Sequence, residues 1–261
     1  MLELHHWEPN VHFLKPLLAL AEKQVEFVSR WFDPTRFEQF GPGFARNTET
    51  ELNLECEGPV LVHDGAIISH SFFMLEYISE ALPGPALLPK DSHARYLARA
   101  WGQILGASVG PVVSSLGCAR YLAPLLRARD GSELRARIAH MHPEERRVRW
   151  LAAVAADDSE QDLETLRQRL RTPLKRVEDA LGRSQWLAGA EYSIADIDAF
   201  ALLDPLTEQA PQIVNESATP RVCEFLQRMH DRAAVRTALG RSRSGTPGTA
   251  FVPGVEHSRW G

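Results

Sequence analysis

The stretch from Gly58 to Asp91 reads GPVLVHDGAIISHSFFMLEYISEALPGPALLPKD, and it decides the fold. It begins with an apolar run from Val60 to His63, followed by Asp64-Gly65, which favours a tight hairpin turn, and a returning run from Ala66 to Ile68. Apolar residues then recur at helical spacing until a Pro/Gly cluster stops the helix after Leu82. The stretch therefore predicts strand, turn, strand, helix and linker.

Two residues mark the beginnings of these elements. Pro59 opens the first strand, where a missing N–H is tolerated, and we interpret it as a turn proline suited to a cis peptide bond. Ser71 stands just ahead of the helical run and is a suitable cap for that helix.

The chain before this stretch predicts a β-α-β unit. Leu2 to His6 alternates in polarity like a short strand, Val11 to Lys23 has a helical apolar face, and Val25 to Phe32 resembles a second strand. Phe40 to Glu57 has little periodicity and predicts an irregular segment. Joined to the hairpin, these elements give the β-α-β-(α)-β-β-α order of a thioredoxin-like domain with a right-handed parallel beginning.

This order, the Pro before an apolar strand, the Asp-Gly turn and the "LLP" linker together resemble the glutathione-binding half of a glutathione transferase. The stretches FLKPLLAL from Phe13 and FDPTRFEQ from Phe32 are similar more narrowly to the bacterial members that cleave β-aryl ether bonds of lignin-derived dimers. The resemblance implies an α+β glutathione transferase fold. Its expected parts are a thioredoxin-like domain at 1–82, a linker at 83–92, an all-helical domain at 93–239 and a Gly/Pro/Ser-rich tail at 240–261.

The resemblance also implies a glutathione site. Pro59 and Val60 would present backbone to the cysteinyl part of glutathione, and His70 and Ser71 would meet its γ-glutamyl end, because a helix N-terminus favours a carboxylate. Arg46 or Asn47 would contact the glycine end. For both of these the alternative is an ordinary surface loop.

Two positions depart from the family pattern. Phe13 stands where the β-etherases carry the Ser that stabilises the glutathione thiolate, and Phe cannot donate a hydrogen bond. Asn10, His12 or a backbone N–H are then the candidates for that role, and no catalytic residue is assigned. His70 replaces an acidic residue that would pair with the γ-glutamyl ammonium, a loss worth about 1.5–3 kcal/mol.

The second half of the chain predicts helices. Gly102, Gly106 and Gly110 repeat every four residues in one of them, which indicates either close packing with a neighbouring helix or room for substrate. Further helices are expected over 160–181, which we expect to be continuous, and over 219–235 as the last. Between them, Ser193 and Asp196 have capping-box spacing, an arrangement that the resemblance identifies with the transferase helical domain.

The tail from Gly240 lacks periodicity, and its composition is typical of disorder. We expect its apolar side chains, Phe251, Val252 and Trp260, to anchor it to this protein or to a second subunit.

Composition narrows the functional classes. The chain is 44% hydrophobic and 24% charged with a net charge of −5, which gives no basis for nucleic-acid or membrane-surface binding. We expect no apolar run to approach the roughly 18 residues of a membrane span. Three separated cysteines favour a reducing cytoplasm, and Cys56 lies on the wrong side of Pro59 to act as a nucleophile. His12 and His70 lack a third ligand, so no metal is expected.

Two hypotheses follow, and whether the chain is itself an enzyme stays open between them. In the first it is a subunit of a glutathione-dependent β-etherase, in a heterodimer with a homologous, catalytically intact transferase, and acts on an aromatic ether. In the second it is a non-catalytic subunit that binds or stabilises a partner. Glutathione binding by this chain would be weak or absent.

Overall fold

The computed structural model describes residues 1–40, 58–129, 131–139, 141, 144–155 and 159–253. The predicted positions Arg46, Asn47, Cys56 and Trp260 lie outside this part of the chain.

A four-stranded mixed sheet forms the first half, with the order β2-β1-β3-β4. Its strands are β1 (Leu2–His6), β2 (Val28–Trp31), β3 (Val60–His63) and β4 (Ala66–Ile68). β1 and β2 are parallel, whereas β3 is antiparallel to both β1 and β4. The hairpin predicted from Asp64-Gly65 is confirmed, and so is the thioredoxin-like order of the described elements.

β2 is shorter than predicted. Val25 lies outside the strand because its N–H donates to the carbonyl of Leu20 at 3.1 Å, closing the end of the preceding helix. Only Val28 to Trp31 remains to pair with β1.

The described residues of this half include two α-helices, α1 (Val11–Glu22) and α2 (Ser71–Ala81). Ser71 is the first residue of α2 rather than its cap. His70 takes the cap position with φ at 68° and makes no side-chain capping bond. Ser71 lies within the first turn of α2 and is fully buried.

The rest of the described chain is helical. Its helices are α3 (Ser92–Ser108), α4 (Gly110–Gly117), α5 (Ala123–Arg127), α6 (Gly131–Ala139), α7 (Glu144–Ala155), α8 (Glu160–Arg169), α9 (Arg171–Leu181), α10 (Ile194–Leu203), α11 (Leu206–Gln209), α12 (Pro220–His230) and α13 (Ala233–Leu239), with a π-helical turn at Cys118–Leu122. Short 3-10 turns lie at Pro34–Arg36, Glu38–Phe40 and Pro247–Thr249.

Two helices that were predicted to be continuous are divided. The run over 160–181 breaks at Leu170, because Pro173 has no N–H to donate to the carbonyl of Arg169. The run over 219–235 breaks at Arg232, whose backbone is extended and whose guanidinium makes two bonds to the Glu22 carboxylate, at 2.6 and 2.9 Å. The last α-helix of the described residues is therefore α13, which ends at Leu239.

The capping box is confirmed. The hydroxyl of Ser193 accepts from an N–H in the first turn of α10, and a carboxylate oxygen of Asp196 accepts from the N–H of Ser193 at 2.9 Å. The second carboxylate oxygen accepts from the N–H of Leu187 at 2.9 Å, so the cap also holds the loop before the helix.

Two glycines of the repeat, Gly102 and Gly106, have different surroundings. A Cβ at Gly102 would lie 2.1 Å from the ring of Phe72, so this glycine allows α2 to pack closely on α3. A Cβ at Gly106 would meet nothing within 4 Å. Helix packing therefore explains Gly102, and open space adjoins Gly106.

The helical run from Ser92 to Arg127 contradicts the expectation that no segment is long and apolar enough to span a membrane. Its most apolar 18-residue window has a mean hydropathy of 1.2, enough by length and composition to cross a membrane. Because 61% of that window is buried inside the fold, the same values also fit a core helix.

The main hydrophobic core runs through both halves, and it includes Leu17 of α1 and Phe200 of α10. A buried ion pair joins the same two helices, with the Lys15 ammonium 2.8 Å from the Asp198 carboxylate and both side chains at most 2% exposed. A separate small cluster consists of Trp7, Phe13, Phe32 and Ala250, and it lies at the candidate site.

Candidate functional site

Strand register brings the predicted site residues to one edge of the sheet. His5 near the end of β1 pairs with Val60 at the beginning of β3, and Leu61 pairs with Ile68 at the end of β4. The β1–α1 loop, the residues before β3 and the beginning of α2 therefore all emerge at this edge. We call it the site edge.

The cis proline predicted from the sequence is present. The Gly58–Pro59 peptide bond is cis, and Gly58 has φ at 92°. Val60 follows and is fully buried. A Cβ at Gly58 would lie 2.7 Å from the Phe32 ring and 3.1 Å from the Phe13 ring, so both aromatic rings lie directly against the proline turn.

The first turn of α1 carries the remaining candidates. Asn10 precedes the helix and accepts the N–H of Phe13 on its carbonyl at 3.0 Å. The ring of Phe13 is 3% exposed and makes edge contacts with Trp7 and Phe32, at centroid distances of 6.2 and 5.8 Å. At this point the site edge is lined by aromatic rings. His12 is buried beside it.

The beginning of α2 supplies the other side of the site. Ser71 is fully buried at the first helical position, and the ring of His70 lies against Phe73 with centroids 4.6 Å apart. The first turn of a helix directs backbone N–H groups and the positive end of its dipole outward, which suits a carboxylate.

His6 is a buried histidine at the end of β1. Its Nδ1 lies 2.6 Å from the carbonyl of Trp7 and its Nε2 lies 2.7 Å from the hydroxyl of Ser29. A carbonyl only accepts, so Nδ1 carries the proton and Nε2 accepts from the hydroxyl. Burial lowers the pKa of His6 to about 4, which keeps the ring neutral at physiological pH.

The side-chain amide of Asn10 has a partner from the far end of the chain. It donates to the carbonyl of Ala250 at 2.9 Å, and Ala250 itself packs in the cluster with Trp7, Phe13 and Phe32. Sequence reasoning missed this contact. The only sequence signal for it was the presence of apolar residues in an otherwise polar, Gly-rich tail.

The described residues contain no group of three or more His, Cys, Asp or Glu placed to hold a metal ion.

Comparison with known proteins accounts for this geometry. Residues 138–233 match the family model described as "Glutathione S-transferase, C-terminal domain". Protein LigF of Sphingobium sp. strain SYK-6 is 28% identical over 248 residues, which cover 93% of this chain and 94% of LigF. The crystal structure of that β-etherase superposes with a TM-score of 0.83 at 26% identity, over 92% of this chain and 99% of LigF.

The chain has the glutathione transferase fold and is a homologue of the β-etherase LigF.

More distant structures share this fold. A glutathione transferase family member from Pseudomonas fluorescens pf-5, solved with two glutathione molecules bound, has a TM-score of 0.66 at 20% identity and covers 91% of this chain and 92% of its own. The similarity of this chain to the glutathione transferase family model and to LigF supports a transferase-type enzyme.

The structure brings most of the predicted site residues to the site edge. Asn10, His12 and Phe13 lie at the beginning of α1, Pro59 and Val60 lie at the beginning of β3, and His70 and Ser71 lie at the beginning of α2. Their roles toward glutathione stay predictions. The predicted contacts of Arg46 and Asn47 fall outside the described residues.

Proposed function

We propose that the transferase is a subunit of a glutathione-dependent β-etherase that cleaves β-aryl ether bonds of lignin-derived aromatic dimers. The observation that carries the proposal is its similarity to the β-etherase LigF along nearly the whole of both chains. In the reaction the glutathione thiolate attacks the carbon that bears the aryloxy group beside a ketone. A C–S bond forms, the C–O bond breaks, and the aryl group leaves as a phenolate that takes up a proton.

The site edge supports glutathione as the thiol. The cis peptide before Pro59 and the buried Ser71 at the beginning of α2 provide the two features that the resemblance assigns to the cysteinyl and γ-glutamyl parts. Arg46 or Asn47 would meet the glycine end. The proposed compartment is the cytoplasm, where glutathione is reduced.

Phe13 is the reason to propose a partner. Its buried ring offers no donor to sulfur, so thiolate stabilisation would come from Asn10, His12 or a backbone N–H, or from a homologous subunit that keeps the hydroxyl. We therefore propose a heterodimer in which this chain contributes to assembly and to the substrate pocket of its partner.

The experiment compares three samples. The first is this chain by itself, the second is a β-etherase homologue that carries Ser at the position of Phe13, and the third is the two chains co-expressed. Each is assayed with glutathione and a β-aryloxy ketone by release of the phenol, and its mass is measured by size-exclusion chromatography with light scattering. The proposal expects a mixed dimer whose rate or substrate preference differs from that of the homologue alone. Co-expressed chains that stay separate, together with an inactive isolated chain, would contradict it.

The second candidate is a non-catalytic subunit that stabilises its partner, and the aromatic ring at position 13 is the observation that favours it. It expects a mixed dimer with a higher melting temperature and an unchanged rate per intact site. Calorimetric titration of the isolated chain with glutathione separates weak binding from none.

A further inference from the structure

The chain after α13 is held against the site edge at three points. We call residues 241–252 the strap. They follow Gly240 and lead back across the β1–α1 loop to α4 and the π-helical turn at Cys118–Leu122.

The first anchor is the carboxylate of Glu8, which is 2% exposed. It accepts the N–H of Arg243 at 3.0 Å, the N–H of Ser244 at 3.1 Å and the hydroxyl of Ser242. A buried carboxylate is tolerated only where donors replace its water, and here all three of these donors come from the strap.

The second anchor is at the site itself. The amide of Asn10 donates to the carbonyl of Ala250, and the Ala250 side chain is 7% exposed within the cluster of Trp7, Phe13 and Phe32. The strap therefore covers the first turn of α1 and uses the hydrogen-bond donor that sequence reasoning considered for the thiolate.

The third anchor is Phe251. Its ring is 3% exposed and stacks on Tyr121 at a centroid distance of 5.8 Å and an interplanar angle of 9°. A Cβ at Gly117 would lie 2.1 Å from the same ring, so Phe251 packs directly on the backbone of α4. A buried aromatic of this size is an anchor that must be withdrawn before the strap can leave.

We propose that the strap is an autoinhibitory segment that blocks the site, and that glutathione reaches the first turn of α1 only when Phe251 and Ala250 withdraw. This inference rests on the proposed use of glutathione. Its physical basis is direct competition, because the closed strap covers the ring of Phe13 and occupies the amide of Asn10. The measured affinity then falls with the fraction of molecules in which the strap is open.

Two full-length variants open the strap without altering the site edge. Phe251→Ala removes the anchor, and Gly117→Ala places a methyl group where the Phe251 ring now lies. Gly131→Ala is the matched control, because its Cβ would meet nothing within 4 Å at the exposed start of α6. Tryptic cleavage at Arg241 and Arg243 under native conditions reports strap opening without any ligand.

In both opened variants we expect faster cleavage in the strap and glutathione binding at least about tenfold tighter than in the wild type, by calorimetric titration. The control should match the wild type in both measurements. Faster cleavage with equal or weaker glutathione binding would overturn the inference, and so would unchanged cleavage in both variants. If all four chains bound glutathione equally and measurably, the inference would fail. The proposed function would stand, because it is tested separately by the rate of the mixed dimer.

Discussion

At the scale of single residues, Phe13 affects both the packing and the chemistry of the site edge. Its ring fills the space between Trp7, Phe32 and Gly58, so it packs the site edge while removing a donor from it. Substitution at this position therefore changes stability and chemistry at once, and the two effects must be separated.

We expect Phe13→Ser to increase etherase turnover about ten- to hundredfold over Phe13→Ala, since a hydrogen bond to a charged acceptor contributes about 1.5–3 kcal/mol. Both variants should lose about 3–5 kcal/mol of unfolding free energy through the cavity that they share. Turnover with glutathione and the ultraviolet absorbance of bound thiolate measure the gain, in the wild-type and Phe251→Ala backgrounds. Equal turnover by the Ser and Ala variants would show that the hydroxyl is not the missing group.

His6 makes stability depend on pH. The pKa of His6 in the fold is about 4, below its ordinary value near 6.5, because burial disfavours the imidazolium. The unfolded chain therefore binds more protons between these values, and stability falls as pH decreases from about 6.5 to 4.

We expect His6→Asn to remove about 3 kcal/mol of the loss of stability between pH 7 and pH 4, measured by urea unfolding. Asn keeps a donor for the carbonyl of Trp7 without titrating. The same substitution at the exposed His93 serves as the control. A pH dependence in His6→Asn as steep as in the wild type would contradict the assignment.

At the scale of elements, the α1–α10 contact joins the two halves. Its ion pair between Lys15 and Asp198 is almost completely buried, so removing one member leaves the other charge in an apolar interior.

We expect Asp198→Asn to lower the unfolding free energy by about 3–5 kcal/mol, and the double variant Lys15→Met with Asp198→Leu to recover most of that loss. The matched control is Asp179→Asn, because the Lys175–Asp179 pair in α9 is exposed and should contribute less than about 0.5 kcal/mol. Denaturant unfolding measures all three variants. Similar losses at positions 198 and 179 would be inconsistent with this account.

At the scale of the whole molecule, the continuous core makes the two halves one folding unit. Buried residues of α1 and α10 belong to the same cluster, and no separate core isolates the sheet in the part of the chain that the structure describes. The division into domains at residue 82 therefore describes architecture, and it stays a prediction as a boundary between independently stable units.

We expect amides of β1 and α10 to exchange with solvent through the same global opening, with free energies within about 1 kcal/mol of each other. Native-state hydrogen exchange at increasing urea measures both elements in one sample. A β1 that opens several kcal/mol below α10 would show that the first half unfolds alone.

The sequence by itself determined the elements that depend on local chemistry. The hairpin at Asp64-Gly65, the cis-capable Pro59, the helix from Val11 and the capping box at Ser193 all follow from turn propensity, the missing N–H of proline and apolar periodicity. These signals lie within a few residues of the feature that they specify.

Tertiary structure alone decided the contacts between distant parts of the chain. The break at Arg232 depends on Glu22, the packing at Gly102 depends on Phe72, and the amide of Asn10 is occupied by Ala250, 240 residues away. The strap, whose composition is typical of disorder, is held in place because a buried carboxylate, an amide and an aromatic ring each supply it with a partner. No local pattern encodes such partners, since their free energy arises only when the folded chain brings both sides together.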